Sequence, residues 1–169
     1  RRLLCNALTQ PFFDYSCGVW YPNLNANLTK RLQCAQNKCI RFCLNLRNRE
    51  IIKAEHFKEI NWLTVKNRFS QCTIVNIFKF FNGNCPEYIS ELFSPADQIG
   101  ATTRQSYEKM SFPGRKTNTG LNAMSYIGPS IWNKIPNVLK ESKSLNSFKH
   151  NVKKHFLYEQ KKLISYQVK

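Results

Sequence analysis

Between Phe69 and Phe81 the chain offers no polar face. Phe69, Cys72, Ile74, Val75, Ile77, Phe78, Phe80 and Phe81 project in all directions around a helical axis. A helix that is apolar all round has to be covered all round, so the segment from about Val65 to Asn82 is expected to be the central buried element. It is not a bilayer span: its best run, Ile74 to Phe81, is short and interrupted by Asn76 and Lys79. Gly83 stands where a C′ glycine belongs. Pro86 then opens a short helix through Leu92 in the favoured first-turn position.

The covering elements also read as helices. Asn27 is an N-cap for a helix running to about Leu46. At about 100° per residue, Leu28, Leu32, Ala35, Cys39, Phe42, Cys43 and Leu46 share one arc roughly 100° wide. Lys30, Arg31, Lys38 and Arg41 lie opposite, and Arg47 and Arg49 carry the charge past the C-terminus, where cations suit the helix dipole. Before it, Leu3, Leu4, Ala7 and Leu8 have helical spacing until Pro11 intervenes. A kinked or broken helix is expected there, packing Phe12, Phe13, Tyr15, Val19 and Trp20 inward, with a turn at Tyr21-Pro22-Asn23. A short helix spans Glu55 to Leu63.

Ser94 to Thr119 is rich in Ser, Thr, Gly, Pro and Asn and reads as a long surface loop, with room for a short strand at Met110 to Phe112. Leu121 to Ile127 reads as a second strand or extended segment. Gly128-Pro129 opens a short helix carrying Ile131 and Trp132, and Pro136 opens another. Ser144 caps a last helix with Leu145, Phe148, Val152 and Phe156 on one face; Lys149, Lys153, Lys154 and Lys161 lie mostly off it. The expected fold is mainly α, an irregular helical bundle with a long loop and at most one short β-hairpin. Four segments follow: 1–50, 51–93 around the buried helix, 94–127 of loop and short strands, and a basic helical segment 128–169.

Charge indicates the class of partner. The chain carries 26 Lys and Arg against 10 Asp and Glu, a formal charge of +16 over 169 residues. Nucleic acid is the commonest polyanion able to satisfy such an excess. Residues 1–100 hold 13 basic and 7 acidic side chains (+6), and residues 101–169 hold 13 and 3 (+10). The plainer alternative is a solvated basic surface that keeps the protein in solution. A membrane surface is disfavoured, because no strongly apolar, Lys-flanked helix face is left over by the core.

Enzymatic and metal signatures are missing. There is no GxSxG, no phosphate-cradling glycine loop and no HExxH. The three histidines are His56, His150 and His155; a dyad of His56 with Cys72 is formally open, but Cys72 belongs to the apolar helix. Cys34, Cys39 and Cys43 share one helix and Cys85 stands alone, which is not zinc-site spacing, so no cofactor and no metal are expected. Seven cysteines without a secreted-domain framework, and no secretory signal, point to reduced thiols and an intracellular setting, nucleus or cytoplasm. The sequon Asn27-Leu28-Thr29 is read as chance. The chain opens at Arg1 and not at Met, so a piece of a longer protein is expected.

Four stretches in fixed order resemble the C-terminal region of non-LTR (LINE-type) retrotransposon reverse transcriptases, especially the jockey-like branch. Leu4-Cys5-Asn6-Ala7-Leu8-Thr9-Gln10-Pro11 with Tyr15, Gly18 and Trp20 looks like the segment that follows the polymerase palm. Leu32-Gln33-Cys34-Ala35-Gln36-Asn37-Lys38-Cys39-Ile40-Arg41 is similar to the family's LQ-x-x-QN helix. Ile60-Asn61-Trp62-Leu63-Thr64-Val65 to Arg68, with Phe81-Asn82-Gly83, Pro86 and Tyr88, resembles its WLPV and NG-x-P-x-Y stretches. Gly128-Pro129-Ser130-Ile131-Trp132-Asn133-Lys134-Ile135-Pro136, then Ser144-Leu145 and Phe148-Lys149, looks like its GP-x-LWN-LP terminus. Together they cover nearly the whole chain. The departures are mild: Cys39 stands for a small residue and Thr64 for Pro.

The resemblance implies that residues 1–50 correspond to the helical thumb, and the remainder to the extension downstream of it. The family's catalytic palm, with its adjacent Asp pair, is absent: the two aspartates here are Asp14 and Asp97. Two-metal chemistry needs converging carboxylates, so no polymerase activity of its own is expected. The implied role is gripping template RNA or RNA–DNA hybrid beside the palm and fingers of the same polyprotein. Lys30, Arg31, Lys38, Arg41, Arg47 and Arg49 are the candidate phosphate contacts, with Lys149, Lys153 and Lys154, and then Lys161 and Lys162, as a second cluster. Trp20, Trp62 and Trp132 read as core anchors rather than base-stacking platforms. The rival readings are a structural or protein-interaction module that completes the polymerase fold, and an inactive remnant.

Overall fold

The computed structural model describes residues 1–94 and 109–166, with side chains through residue 160. Helices dominate, and the described residues contain no sheet. In chain order they are α1 (Arg2–Leu8), α2 (Gln10–Asp14), α3 (Cys17–Trp20), a 3₁₀ turn (Tyr21–Asn23), α4 (Ala26–Leu44), α5 (Ala54–Ile60), α6 (Val65–Phe81), α7 (Glu87–Ser90), α8 (Asn118–Leu121), α9 (Met124–Trp132), α10 (Asn137–Lys140) and α11 (Leu145–Tyr166). The mainly α expectation holds. The chain forms two compact units, residues 1–69 with 152–169, and residues 70–151.

In the first unit Cys5, Ile40, Phe57, Ile60 and Trp62 form the apolar centre, with Cys39, Cys43, Leu44 and Ile52 packed against it. Tyr21 stacks on Phe69 at 4.7 Å between ring centroids. The N-terminal helix is broken, as Pro11 requires, into three pieces, with Ser16 left-handed between α2 and α3. Its aromatics do not all turn inward. Phe13 and Cys17, four residues apart, are buried, whereas Phe12 is 81% exposed and Leu3, Leu4, Leu8, Tyr15 and Val19 share its exposure. Short helices can bury only one stripe each, and here the stripe through Cys5, Phe13 and Cys17 takes the core.

The cap of α4 lies two residues before the expected one. Asn25 supplies the cap, its Oδ1 accepting the Leu28 N–H at 2.8 Å. Asn45 ends the helix in the left-handed region at φ 58°. Its buried face is also displaced. Gln36 and Ile40 are the fully buried positions, while Leu28 and Phe42, expected inside, are exposed. The core-facing stripe is thus rotated by roughly 90° from the most apolar one, reckoned at 3.6 residues per turn. The reason is a polar network. Gln36 Nε2 donates to the Leu63 carbonyl (2.9 Å), Gln33 Oε1 accepts the Val65 N–H (3.1 Å), and Gln33 Nε2 donates to Gln36 Oε1 and Asn37 Oδ1. These bonds satisfy the backbone where α6 begins, whose first N–H groups have no partner within their own helix. Gln160 Oε1 of α11 does the same for Thr64 N–H at 3.1 Å.

The second unit is aromatic at its centre. Phe78 stacks on Phe148 at 4.0 Å and Phe81 on Trp132 at 5.2 Å, with Phe80 against Phe93 at 5.6 Å. α6 is buried at Ile74, Val75, Ile77 and Phe78, but it is not covered all round: Phe81 at its end is 37% exposed, and Gly83 follows it at φ +67°. Two expectations fail here. Leu121 to Ile127 is helical, divided between α8 and α9, and Gly128-Pro129 lies inside α9 instead of opening a helix. The glycine is there for contact: a Cβ on it would meet Phe93 Cε1 at 3.0 Å and Ile77 Cδ1 at 3.1 Å. The proposed hairpin therefore has no second strand. Met110 is not on a surface loop but 2% exposed, its backbone N–H and C=O both bonded to the Asn133 amide at 3.0 Å. Residues 95–108 of the expected loop lie outside the described residues.

Ser144 caps α11 as expected, its Oγ accepting the Ser147 N–H at 3.2 Å. Phe148, Val152 and Phe156 along α11 are buried, the first in the second unit and the others in the first. Trp62 and Trp132 are core residues, while Trp20 is half-buried, its indole N–H donating to the Tyr15 carbonyl at 2.6 Å. No described helix is long and apolar enough to cross a membrane.

Candidate nucleic-acid interface

The basic residues of α4 remain where helical periodicity puts them relative to the core. Lys30, Arg31 and Lys38 are exposed and Arg41 half-buried. They fall roughly opposite Gln36 and Ile40 on the helix, because rotating the buried stripe by a quarter-turn moved it away from Phe42 and not onto the cations. Among the described residues none of Lys30, Arg31, Lys38, Arg41, Arg47 or Arg49 forms an ion pair with a carboxylate; the pairs that exist are Arg68–Asp14 and His155–Glu159. Arg41 Nε donates to the Glu50 carbonyl at 2.9 Å, which fixes its guanidinium without neutralising it. Glu50 Oε2 accepts the Arg47 backbone N–H at 3.4 Å.

At the C-terminal end of α4 the surface is concave. Arg1, Lys38, Arg41, Phe42, Asn45 and Asn48 line a groove of about 640 Å³. Arg1 hydrogen-bonds the Asn45 side chain, and its guanidinium lies 5.4 Å from the centre of the Phe42 ring. Three cations, two amides and an aromatic ring exposed to 47% therefore share one open groove. Cations there can follow phosphates, and the ring offers a stacking surface, the pairing typical of single-strand grooves. Arg1 and Phe42 escaped the sequence reading: the first looked like a terminus and the second like core. An exposed aromatic at the edge of the apolar arc beside Arg41 was the only available signal.

The second basic cluster lies along α11 and is divided between the two units. Lys149 is exposed and belongs to the second unit, where its carbonyl accepts the Gln71 side-chain N–H at 3.2 Å. Lys154 lines a groove in the first unit with Glu55, Lys58, Glu59, Leu157 and Tyr158, where acidic groups stand beside it. Lys153 is half-buried beside Arg68. Of Lys161 and Lys162 the side chains lie outside the described residues.

No other chemistry assembles in the described residues. All seven cysteines are thiols, and no three His, Cys, Asp or Glu side chains are disposed to hold a metal ion. Cys5, Cys39 and Cys43 adjoin at α1 and α4; burial first, and then the neighbouring Cys5, pushes Cys43 up to about 12 and Cys39 also upward. Such thiols stay protonated and poorly nucleophilic. His56 Nδ1 accepts the Lys53 N–H at the start of α5, at 3.0 Å, a capping role.

Neither a protein-family model nor a curated protein nor a solved structure matches the chain.

Proposed function

We propose that the chain is a non-catalytic, C-terminal part of a LINE-type reverse transcriptase that holds template RNA or RNA–DNA hybrid through the basic face of α4. The observation that carries this reading is the unneutralised row Lys30, Arg31, Lys38 and Arg41, which ends in a groove containing Arg1 and the exposed Phe42. A merely solvated helix ordinarily interleaves carboxylates with its cations, and α4 has none. Contacts of this kind position a strand without reading its sequence. The thiol state of all seven cysteines fits an intracellular, reducing compartment. The test is filter retention of RNA and of RNA–DNA hybrid by the chain with Lys30, Arg31, Lys38 and Arg41 all changed to Glu. Retention should be lost, and undiminished retention at low salt overturns the reading.

A second reading has its own support. Leu3, Leu4, Leu8, Phe12, Tyr15 and Val19 are all exposed along the N-terminal segment, which suits a module that docks on another part of the same polyprotein. Under that reading nucleic-acid affinity depends little on salt, because few counterions are released on binding.

A further inference from the structure

Lys38, Arg41, Phe42 and the C-cap Asn45 follow one another at spacings of three and four residues, so they share one face at the end of α4. Arg1 joins them from a distant part of the chain, its guanidinium bonded to the Asn45 side chain and to the Phe42 carbonyl. The groove they line holds three cations and no carboxylate. Glu50 gives Arg41 its carbonyl, and its carboxylate is not part of the lining. Three other grooves differ in this respect. Glu55 and Glu59 line the one beside Lys154, Asp14 the one beside Arg68, and Glu141 the one beside Phe81. An anion entering the α4 groove therefore meets attraction with no negative group competing from its walls.

Phe42 adds something that a plain anion site does not need. Its ring is 47% exposed, with the Arg1 guanidinium 5.4 Å from its centre. A ring in water among cations suits a ligand that is planar, apolar on its faces and anionic beside them. That is the chemistry of a nucleotide. The groove's volume of about 640 Å³ lies within the range of about 300–1,000 Å³ that encloses small-molecule ligands, so a nucleotide fits it and a duplex does not. In a duplex each base face is covered by its stacking neighbours. The ring can reach a base only where the strand is unpaired.

We infer that this groove takes one unpaired nucleotide, its base stacked on Phe42 and its flanking phosphates on Lys38 and Arg41. Phe42 then helps to hold single strands and contributes nothing to holding fully paired hybrid. The inference rests on the proposed role of α4 and narrows it. Lys30 and Arg31 meet phosphates, which paired and unpaired strands both offer, whereas the Phe42 end responds to pairing. Such a nucleotide is either part of a strand or free, and the test separates the two.

The test measures fluorescence anisotropy of three labelled probes of equal length with the full chain: a single-stranded oligoribonucleotide, the same strand made abasic, and a blunt RNA–DNA hybrid. The unaltered chain should bind the intact strand at least about fivefold more tightly than the abasic one. Phe42→Ala should remove that advantage and leave the affinity for hybrid unchanged, and Phe42→Tyr should restore it. Equal binding of intact and abasic strands, or an equal loss for strand and hybrid in Phe42→Ala, overturns the subsite. The abasic comparison uses the unaltered chain, so it decides the matter even if a variant folds poorly. Failure of the unaltered chain to bind any probe overturns the proposed function and the subsite together. Binding that is lost when Lys30, Arg31, Lys38 and Arg41 become Glu, yet is untouched by Phe42→Ala, overturns the subsite alone. Competition by adenosine monophosphate that Phe42→Ala abolishes assigns the subsite to free nucleotides, and absence of competition assigns it to nucleotides within a strand.

Discussion

Gln36 Nε2 donates to the carbonyl of Leu63 at 2.9 Å, joining the middle of α4 to the residue pair that precedes α6. This one bond ties together two stretches distant in the chain, the one through Gln33, Gln36 and Asn37 and the one through Trp62, Leu63 and Val65. Glutamines on α4 satisfy the backbone at the start of α6.

The network is testable by Gln36→Leu. The substitution suits the apolar surroundings but leaves the Leu63 carbonyl and the Gln33 amide short of a partner. The expected cost is about 1–3 kcal/mol in urea unfolding, the penalty for a buried polar group left unpaired. An unchanged midpoint would show that water replaces the bond at no cost.

Salt dependence separates the two functional readings. If all four α4 cations contact phosphates of single-stranded RNA, log K should fall against log salt with a slope of about −3, from about −0.7 per contact. Each single Lys or Arg to Ala change should flatten it by about 0.7. A slope near zero favours the protein-docking reading.

Phe42→Ala probes the aromatic part of the groove. Affinity for single-stranded RNA should drop by about 1–3 kcal/mol with no change in the salt slope, because stacking releases no counterions. Stability should change little, as the ring is 47% exposed.

Cys43 predicts a pH effect at the alkaline end. Its thiol is pushed up to about 12 from an ordinary 9.0, by burial first and Cys5 second. Between those values the unfolded chain releases a proton that the folded chain retains. Its contribution to stability is therefore complete below pH 9 and is lost as pH rises toward about 12. Wild type should lose denaturant resistance across this range faster than Cys43→Ala. At pH about 8.5, iodoacetamide should modify exposed Cys34 well before Cys43, as peptide mapping would report.

Gly128→Val tests the close approach inside α9. Its Cβ would sit 3.0 Å from Phe93 and 3.1 Å from Ile77, and the added methyls require both to move. A loss of about 1–3 kcal/mol is expected from overpacking. A neutral result in thermal unfolding would mean that the ring can shift freely.

Much of the helical order was legible in advance. The apolar run of α6, the cap at Ser144 and the stripe of Phe148, Val152 and Phe156 report themselves through local spacing, because each helix follows its own period whatever lies beside it. The cations of α4 were legible for the same reason, since charged side chains stay out of a core that cannot solvate them. What local spacing could not reveal was which face of α4 would be buried. Hydropathy favoured the stripe containing Leu28 and Phe42; the structure chose Gln36 and Ile40, because the start of α6 needed hydrogen-bond partners that only side chains from elsewhere could give. Gathering Arg1, Lys38, Arg41 and Phe42 around one groove likewise depends on elements distant in the chain. Periodicity along a helix is a one-dimensional property, whereas satisfying buried polar groups is settled only among neighbours in space.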